Sequence, residues 1–377
     1  MRLERLSLRD FRNYEAAEVE IGAPLTLVTG PNGAGKTNLL EAVYFGCTAR
    51  SPRTSNEREL VRRGAALTRV ELTVRADDGA HAIEVGFEPG EPKHARIDGR
   101  AVESLHAAPE RPLAGVFMPE RLELVKGRPA SRRAHVDQLV AALWPARAQT
   151  RTAYSRALAQ RNALLGRIRA GLSEPSALDA WDAELALQGA ALTEDRRQAC
   201  AALGPSFASR ARALGLPGKA ELRYRPRSAG ADADALAAEL AERRDADLER
   251  GFTTHGPHRD DVALMLDDAS LRVYGSQGQQ RTALLALLLA ERDLLAELRP
   301  ARGPLMLLDD VMSELDAERR ELLALLLRGG GQAIVTATEP EHVPGASSGS
   351  VSVLEVSAGV VRPRPRVVAR SNREAAA

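Results

Sequence analysis

The stretch Gly30-Pro31-Asn32-Gly33-Ala34-Gly35-Lys36-Thr37 fits the pattern G-x-x-x-x-G-K-[ST] at every constrained position. Glycines at this spacing let backbone N–H groups turn inward onto phosphate oxygens. A helix opening at the end of the loop adds a favourable field for an anion. Lys36 is placed to reach the β- and γ-phosphates of ATP, and the Thr37 hydroxyl to hold Mg²⁺. A second candidate is Leu305-Met306-Leu307-Leu308-Asp309-Asp310, four apolar residues ending in two carboxylates. A buried strand can present acids only at its end, where α/β sheets place their ligands. Asp309 is the expected second metal ligand, and Asp310 the group that orients or deprotonates an attacking water. A third candidate is Ser276-Gln277-Gly278-Gln279-Gln280, which opens an apolar helix. It reads either as plain helix capping by Ser276 or as a second phosphate-binding helix start.

The elements that must position these groups can be read from the spacing of apolar residues. Leu25 to Val28 predicts a buried strand entering the Gly-rich loop, and Asn38 to Phe45 the helix leaving it. Leu3 to Leu8 and Glu18 to Ile21 predict strands on either side of Phe11-Arg12-Asn13-Tyr14, which reads as a hairpin turn. Strand patterns recur at 69–75, 81–87 and 93–102, the last with an Asp98-Gly99 turn. Gly115 to Met118 is a short strand. From Ser131 to about Leu214 the period becomes helical, with a break at Leu172 to Pro175. A strand is expected at 220–224, a helix at 233–250, and then a return to alternating strands and helices, including a strand from Gln332 to Thr338.

The net charge of +1 is uninformative, but its distribution is not. Residues 121–170 hold eleven Lys or Arg against two acids, Glu123 and Asp137. Such a run is either a solvated helix face or a surface that tracks phosphates. Aromatic residues are only 3% of the chain, which argues against a surface built mainly on base stacking. No apolar run approaches the ~18 residues of a membrane span, and the N-terminus is charged where a leader peptide needs apolar residues. A cytoplasmic protein without a membrane partner is expected. Cys47 and Cys200 lack ligand spacing and read as buried thiols. His258 has no companion at metal-ligand spacing.

The order of these motifs resembles the ABC-type ATPase heads of DNA-repair proteins and, more narrowly, the RecF family of bacterial recombination mediators. Phe11-Arg12-Asn13-Tyr14, Met118-Pro119-Glu120, Leu124-Val125-Lys126-Gly127, Gln160 to Leu165 and Gly256-Pro257-His258-Arg259-Asp260-Asp261 carry the resemblance, together with the Ser-Gln-Gly-Gln-Gln and Asp-Asp motifs. It implies an α/β fold: an ABC-type head with a P-loop and mixed sheets, and an inserted, mostly helical lid. The expected parts are an N-terminal lobe at 1–120, the lid at 121–250, a C-terminal lobe at 251–360 and a flexible tail at 361–377. It implies a homodimer closed by ATP, in which Ser276, Gln277, Gly278 and Gln279 of one chain face the nucleotide of the other. It places Arg12 and Asn13 near that nucleotide. It further implies single-stranded, gapped or junction DNA as ligand, with RecO and RecR as partners in loading RecA, and roles in replication and the SOS response. Arg128, Arg132, Arg133 and Arg161 become candidate DNA contacts. The second acid is Asp310 where ABC heads usually carry Glu, which implies slow, Mg²⁺-dependent turnover. No histidine ends the strand from Gln332, only Thr336 and Thr338. Other classes sharing the head motifs are a transporter ATPase subunit, a clamp that binds ATP without useful hydrolysis, and an OLD-type nuclease.

Overall fold

The computed structural model describes residues 1–103, 105, 108, 110–230, 232–346, 348 and 351–364. In chain order the strands and helices begin with β1 (Arg2–Phe11), β2 (Tyr14–Glu20), β3 (Leu25–Thr29), α1 (Lys36–Thr48), β4 (Thr68–Ala76), β5 (Gly79–Phe87), β6 (His94–Ile97), β7 (Arg100–Ala101) and β8 (Ala114–Phe117). They continue with α2 (Glu123–Lys126), α3 (Pro129–Leu143), α4 (Thr150–Arg169), α5 (Leu178–Ala213), β9 (Ala220–Arg225), α6 (Ala233–Glu242), α7 (Arg244–Arg250), β10 (Asp261–Leu266), β11 (Ala269–Ser270), α8 (Leu271–Tyr274) and α9 (Gln277–Leu298). The last are β12 (Leu305–Leu308), α10 (Ala317–Arg328), β13 (Gln332–Ala337), β14 (Val351–Ser357) and β15 (Val360–Pro363). Two compact units result: residues 1–120 with 299–377, and residues 121–298.

The first unit holds two sheets. One has the order β15-β14-β3-β13-β12-β8, parallel except for β15. Its central strands β3, β12 and β13 are buried along their whole length, as parallel strands covered on both faces must be. The other is antiparallel, β2-β1-β4-β5-β6-β7. Its strands alternate buried and exposed residues, so β4 turns Val70, Leu72 and Val74 inward. Helix α1 is buried nearly all round, which suits a helix enclosed by core. A Cβ on its Gly46 would stand 2.7 Å from the Leu72 side chain, so glycine sets how closely α1 approaches β4. The Asp98-Gly99 turn forms as expected, with φ of 50° and 78°.

The second unit is built on α5, a 36-residue helix that carries Pro205. Helices α3, α4, α6 and α9 and strand β9 pack on it. Strand β10 pairs with β9 from Asp261↔Arg225 to Leu266↔Ala220, in a small sheet completed by β11. This pairing corrects the expected boundary at residue 250. Residues 251–298, with the Ser276 motif, belong to the second unit because β10 and α9 bury their apolar faces there. The helix expected over 233–250 is two helices, broken at Arg243. The expected tail starts too early, since Val361 to Pro363 lie in β15; residues 365–377 fall outside the described residues. Among the described residues no helix is long and apolar enough to cross a membrane. Cys47 and Cys200 are buried free thiols, each pushed up to about 12 by burial.

Candidate active site

Strand order assembles the site in the first unit. The Gly-rich loop leaves β3, the paired acids leave β12, and β13 runs between those two strands in parallel. All three elements therefore deliver their C-terminal ends to one edge of the sheet. Residues some 270 positions apart meet there: Thr37 Oγ1 lies 3.0 and 2.9 Å from the two carboxylate oxygens of Asp309.

The loop is a cradle whose shape demands glycine. Gly35 has φ of 117°, and a Cβ there would stand 2.6 Å from Asn13 Nδ2 and 2.9 Å from the Tyr14 hydroxyl. The turn between β1 and β2 closes over the loop from that side. Asn13 Nδ2 donates to the Ala34 carbonyl at 3.1 Å, and the Tyr14 hydroxyl to the Gly35 carbonyl at 2.9 Å. Asn38 Nδ2 in turn donates to Asn13 Oδ1 at 2.8 Å. The hairpin turn expected from the residues forms and packs on the Gly-rich loop. Arg12 points elsewhere: its guanidinium is bidentate on Glu41, at 2.8 Å twice. Glu41 is fully buried and also accepts from Ser51 Oγ at 2.6 Å and Arg53 Nη1 at 3.2 Å. Sequence reading missed Glu41 and Arg53, because a lone Glu in an apolar helix carries no motif.

Helix α1 begins without a side-chain cap and with no acid in its first turn. Its first N–H groups and positive end are thus available to an anion. Lys36 is largely buried and donates to the Gly30 and Pro31 carbonyls at 2.6 and 3.0 Å. Burial lowers the pKa of its ammonium, while Asp310 and Asp309 oppose the shift. Asp309 is also buried; burial raises its carboxyl, against hydrogen bonds from Thr336 and Thr37. Asp310, half-buried, has φ of 46° and so turns the chain sharply just past the strand. The pieces fit a nucleotide and its ion: an uncapped helix start, a cation over the loop, and two hard oxygen donors in contact for Mg²⁺.

The Ser276 motif lies in the second unit, at the start of α9. Gln279 N–H donates to Ser276 Oγ at 3.2 Å, and Ser276 N–H to Gln279 Oε1 at 2.9 Å. This is a reciprocal capping box. Ser276, Gln277 and Gly278 are nonetheless exposed, so the helix start faces outward.

The four candidate DNA arginines do not form one surface. Arg161 is fully buried, bound to Asp182 at 2.6 Å, to Asp247 at 2.7 Å and to Thr253 at 2.8 Å. Arg132 is buried in a bidentate pair with Asp261 at 2.8 and 3.0 Å. Both are corrected to internal ion pairs. Arg133 is half-buried and donates to the Asp260 carbonyl at 2.7 Å, which leaves Arg128 as the exposed member. In the Gly256 to Asp261 block, Gly256, Pro257 and Asp260 are buried, while Arg259 is exposed. His258 Nε2 lies 3.0 Å from the Thr253 carbonyl, so that nitrogen carries the proton, and the Tyr154 hydroxyl donates to Nδ1 at 2.7 Å.

Residues 2–361 match the family model described as the RecF/RecN/SMC N-terminal domain. A DNA replication and repair protein RecF from Streptomyces avermitilis is 40% identical over 368 residues, covering 93% of this chain and 97% of that protein. A solved structure of the recombination mediator protein RecF-ATPrS in the RecFOR pathway superposes with a TM-score of 0.85 at 29% identity, covering 96% of this chain and 98% of that one. An Smc head domain of Pyrococcus furiosus, solved with the C-terminal domain of ScpA, has the same fold with a TM-score of 0.57 at 16% identity and 96% coverage of both chains.

Proposed function

From the premise that this chain belongs to the RecF branch of the RecF/RecN/SMC head family, we propose that it is an ATP-dependent DNA-binding mediator of recombinational repair. The observation that carries the reading is the contact of Thr37 with Asp309 beside an uncapped α1. That pairing converges a phosphate cradle and a metal-ligand set on one sheet edge.

Each residue has a part. The N–H groups of the loop and α1 bind the phosphate chain, and Lys36 exchanges its loop carbonyls for phosphate oxygens. Thr37 and Asp309 hold Mg²⁺, which supplies charge neutralisation to the phosphates. Asp310 takes up the proton of the attacking water; its reach is one methylene shorter than a glutamate's, which accords with slow turnover. The outward-facing start of α9 supplies a second positive helix end. A symmetric dimer brings Ser276 to Gln279 of one chain onto the γ-phosphate held by the other, so ATP closes the dimer and hydrolysis releases it. The closed dimer binds single-stranded, gapped or junction DNA and works with RecO and RecR to load RecA. Arg128 and Arg133 remain the candidate phosphate contacts.

The test is the affinity for a gapped duplex, followed by fluorescence anisotropy with and without ATP. ATP is expected to tighten binding at least tenfold, with a salt slope that falls by roughly 0.9 per phosphate contact removed. Equal affinity in both conditions would separate DNA binding from the nucleotide cycle and overturn the mediator reading.

A further inference from the structure

Thr336 is a threonine on the strand between the phosphate loop and the acids, and the reading above gives it no task. It is fully buried, and in β13 it stands opposite Val28 of β3, two residues before Gly30. Its hydroxyl is used in both directions. Oγ1 donates to Asp309 Oδ1 at 2.7 Å and accepts from the Asp310 N–H at 2.9 Å. An N–H can only donate and an ionised carboxylate can only accept, so the hydroxyl's one proton goes to Asp309 while a lone pair takes the Asp310 N–H.

These two bonds control the two acids by different routes. Asp309 accepts from Thr336 on one oxygen and from Thr37 on both, which holds the plane of its carboxylate. Asp310 is held through its backbone, at a residue with the uncommon φ of 46°. A non-glycine residue in the left-handed region persists only where its surroundings fix it. The 2.9 Å bond from its N–H to Thr336 is such a constraint. Thr338, two residues on, is placed otherwise: its hydroxyl lies 3.4 Å from His342 Nδ1.

We propose that Thr336 is a positioning residue of the nucleotide site, whose hydroxyl sets the Asp309 carboxylate for the metal ion and locks the backbone turn that aims Asp310. The proposal rests on the nucleotide-site reading above. Thr336 is fully buried and acts through the two acids.

The test uses the full chain and Thr336→Val, which keeps the shape and removes the hydroxyl, with Thr336→Ser as the variant that retains it. Two readouts are taken: the affinity for a fluorescent ATP analogue in EDTA, and Mn²⁺ affinity of the protein–nucleotide complex by electron paramagnetic resonance. Thr336→Val is expected to hold the metal-free nucleotide within about twofold of the parent, to bind Mn²⁺ about tenfold more weakly, and to lose kcat rather than raise KM. Thr336→Ser is expected to restore both metal affinity and kcat. In an Asp309→Asn background, the Thr336→Val change should no longer alter Mn²⁺ affinity, because the two act as one unit. Parent-like Mn²⁺ affinity and turnover in Thr336→Val would overturn the proposal, as would additive effects in the double variant. Should Thr336→Val not fold, Thr336→Ser decides: retained Mn²⁺ affinity supports the hydroxyl's role, and lost affinity removes it. A parent chain that binds neither nucleotide nor Mn²⁺ would instead strike down the nucleotide-site reading, a result separate from any effect of Thr336.

Discussion

His258 shows how a single residue's surroundings decide its chemistry. Burial holds its imidazole down to about 4, well below the ordinary 6.5, with Arg259 and Arg133 adding to the shift while the Thr253 carbonyl and Asp247 oppose it. The folded state therefore binds fewer protons than the unfolded one between those two values. The neutral ring's contribution to stability is complete above pH 6.5 and is lost as the pH falls toward 4, up to about 3 kcal/mol in all. Urea unfolding at pH 7.5 and 5.0 checks this. The parent should lose about 2 kcal/mol more than His258→Gln across that interval; equal losses would mean the ring is not held neutral. At this scale the sequence is informative where chemistry is local. The glycines, Lys36 and Thr37 sit in one continuous pattern, and the turn into α1 that they build follows from spacing alone. Asp309 was legible because four apolar residues lead into it. Glu41 and Thr336 were not, because their meaning depends on partners many residues away: Arg12 and Arg53 for one, Asp309 and Asp310 for the other.

Elements sort charges that composition cannot. The basic run of residues 121–170 reads as one surface on paper, yet α3 and α4 turn some of its arginines inward and others outward. Helical period alone could not separate Arg161 from its exposed neighbours, since the carboxylates that claim it lie on α5 and α7. The same limit displaced the boundary at residue 250: β10 looks like the start of a new lobe until its pairing with β9 is seen. Elements formed by local pattern, such as α1 or the Asp98-Gly99 hairpin, were found close to their sequence positions. The sorting gives opposite expectations for two arginines. Arg161→Ala removes the buried cation that Asp182 and Asp247 share, leaving Asp182 to Arg244 and Asp247 to the Thr254 N–H and hydroxyl, and should destabilise the second unit by about 3 kcal/mol. It should leave the salt dependence of DNA binding in the surviving folded protein unchanged. Arg128→Ala should do the reverse, with stability within about 0.5 kcal/mol of the parent and a shallower salt slope. Denaturant unfolding paired with anisotropy at several salt concentrations separates them. A shallower slope for Arg161→Ala would contradict its internal placement.

At the scale of the whole molecule, the question is whether a second chain's Ser276 motif completes the nucleotide site. The Ser276 motif opens α9 with exposed residues, and Val273 and Tyr274 beside it are 67% and 76% exposed. Large apolar side chains of that exposure next to a helix start suit a surface that a partner covers. If two chains share each site, one chain's loop works only with the other chain's Ser276. Lys36→Met removes the loop's cation and keeps the signature; Ser276→Arg places a bulky cation at the signature and keeps the loop. Each variant alone should lack turnover. Ser276→Arg should still bind ATP as a monomer and fail to dimerise, as read by light scattering after size exclusion. Mixed in equal amounts, the two variants can form a dimer in which one site joins an intact loop to an intact signature. Ser276→Arg forms no dimer of its own and each mixed dimer has one restored site of two, so turnover should return to no more than about half of the parent value for independent sites. Two outcomes would refute sharing between chains: dimers of Ser276→Arg that form with ATP, or a mixture as inactive as its parts despite mixed dimers being present. A site completed within one chain leaves no route by which the two defects could rescue one another, so recovered turnover on mixing points to sharing.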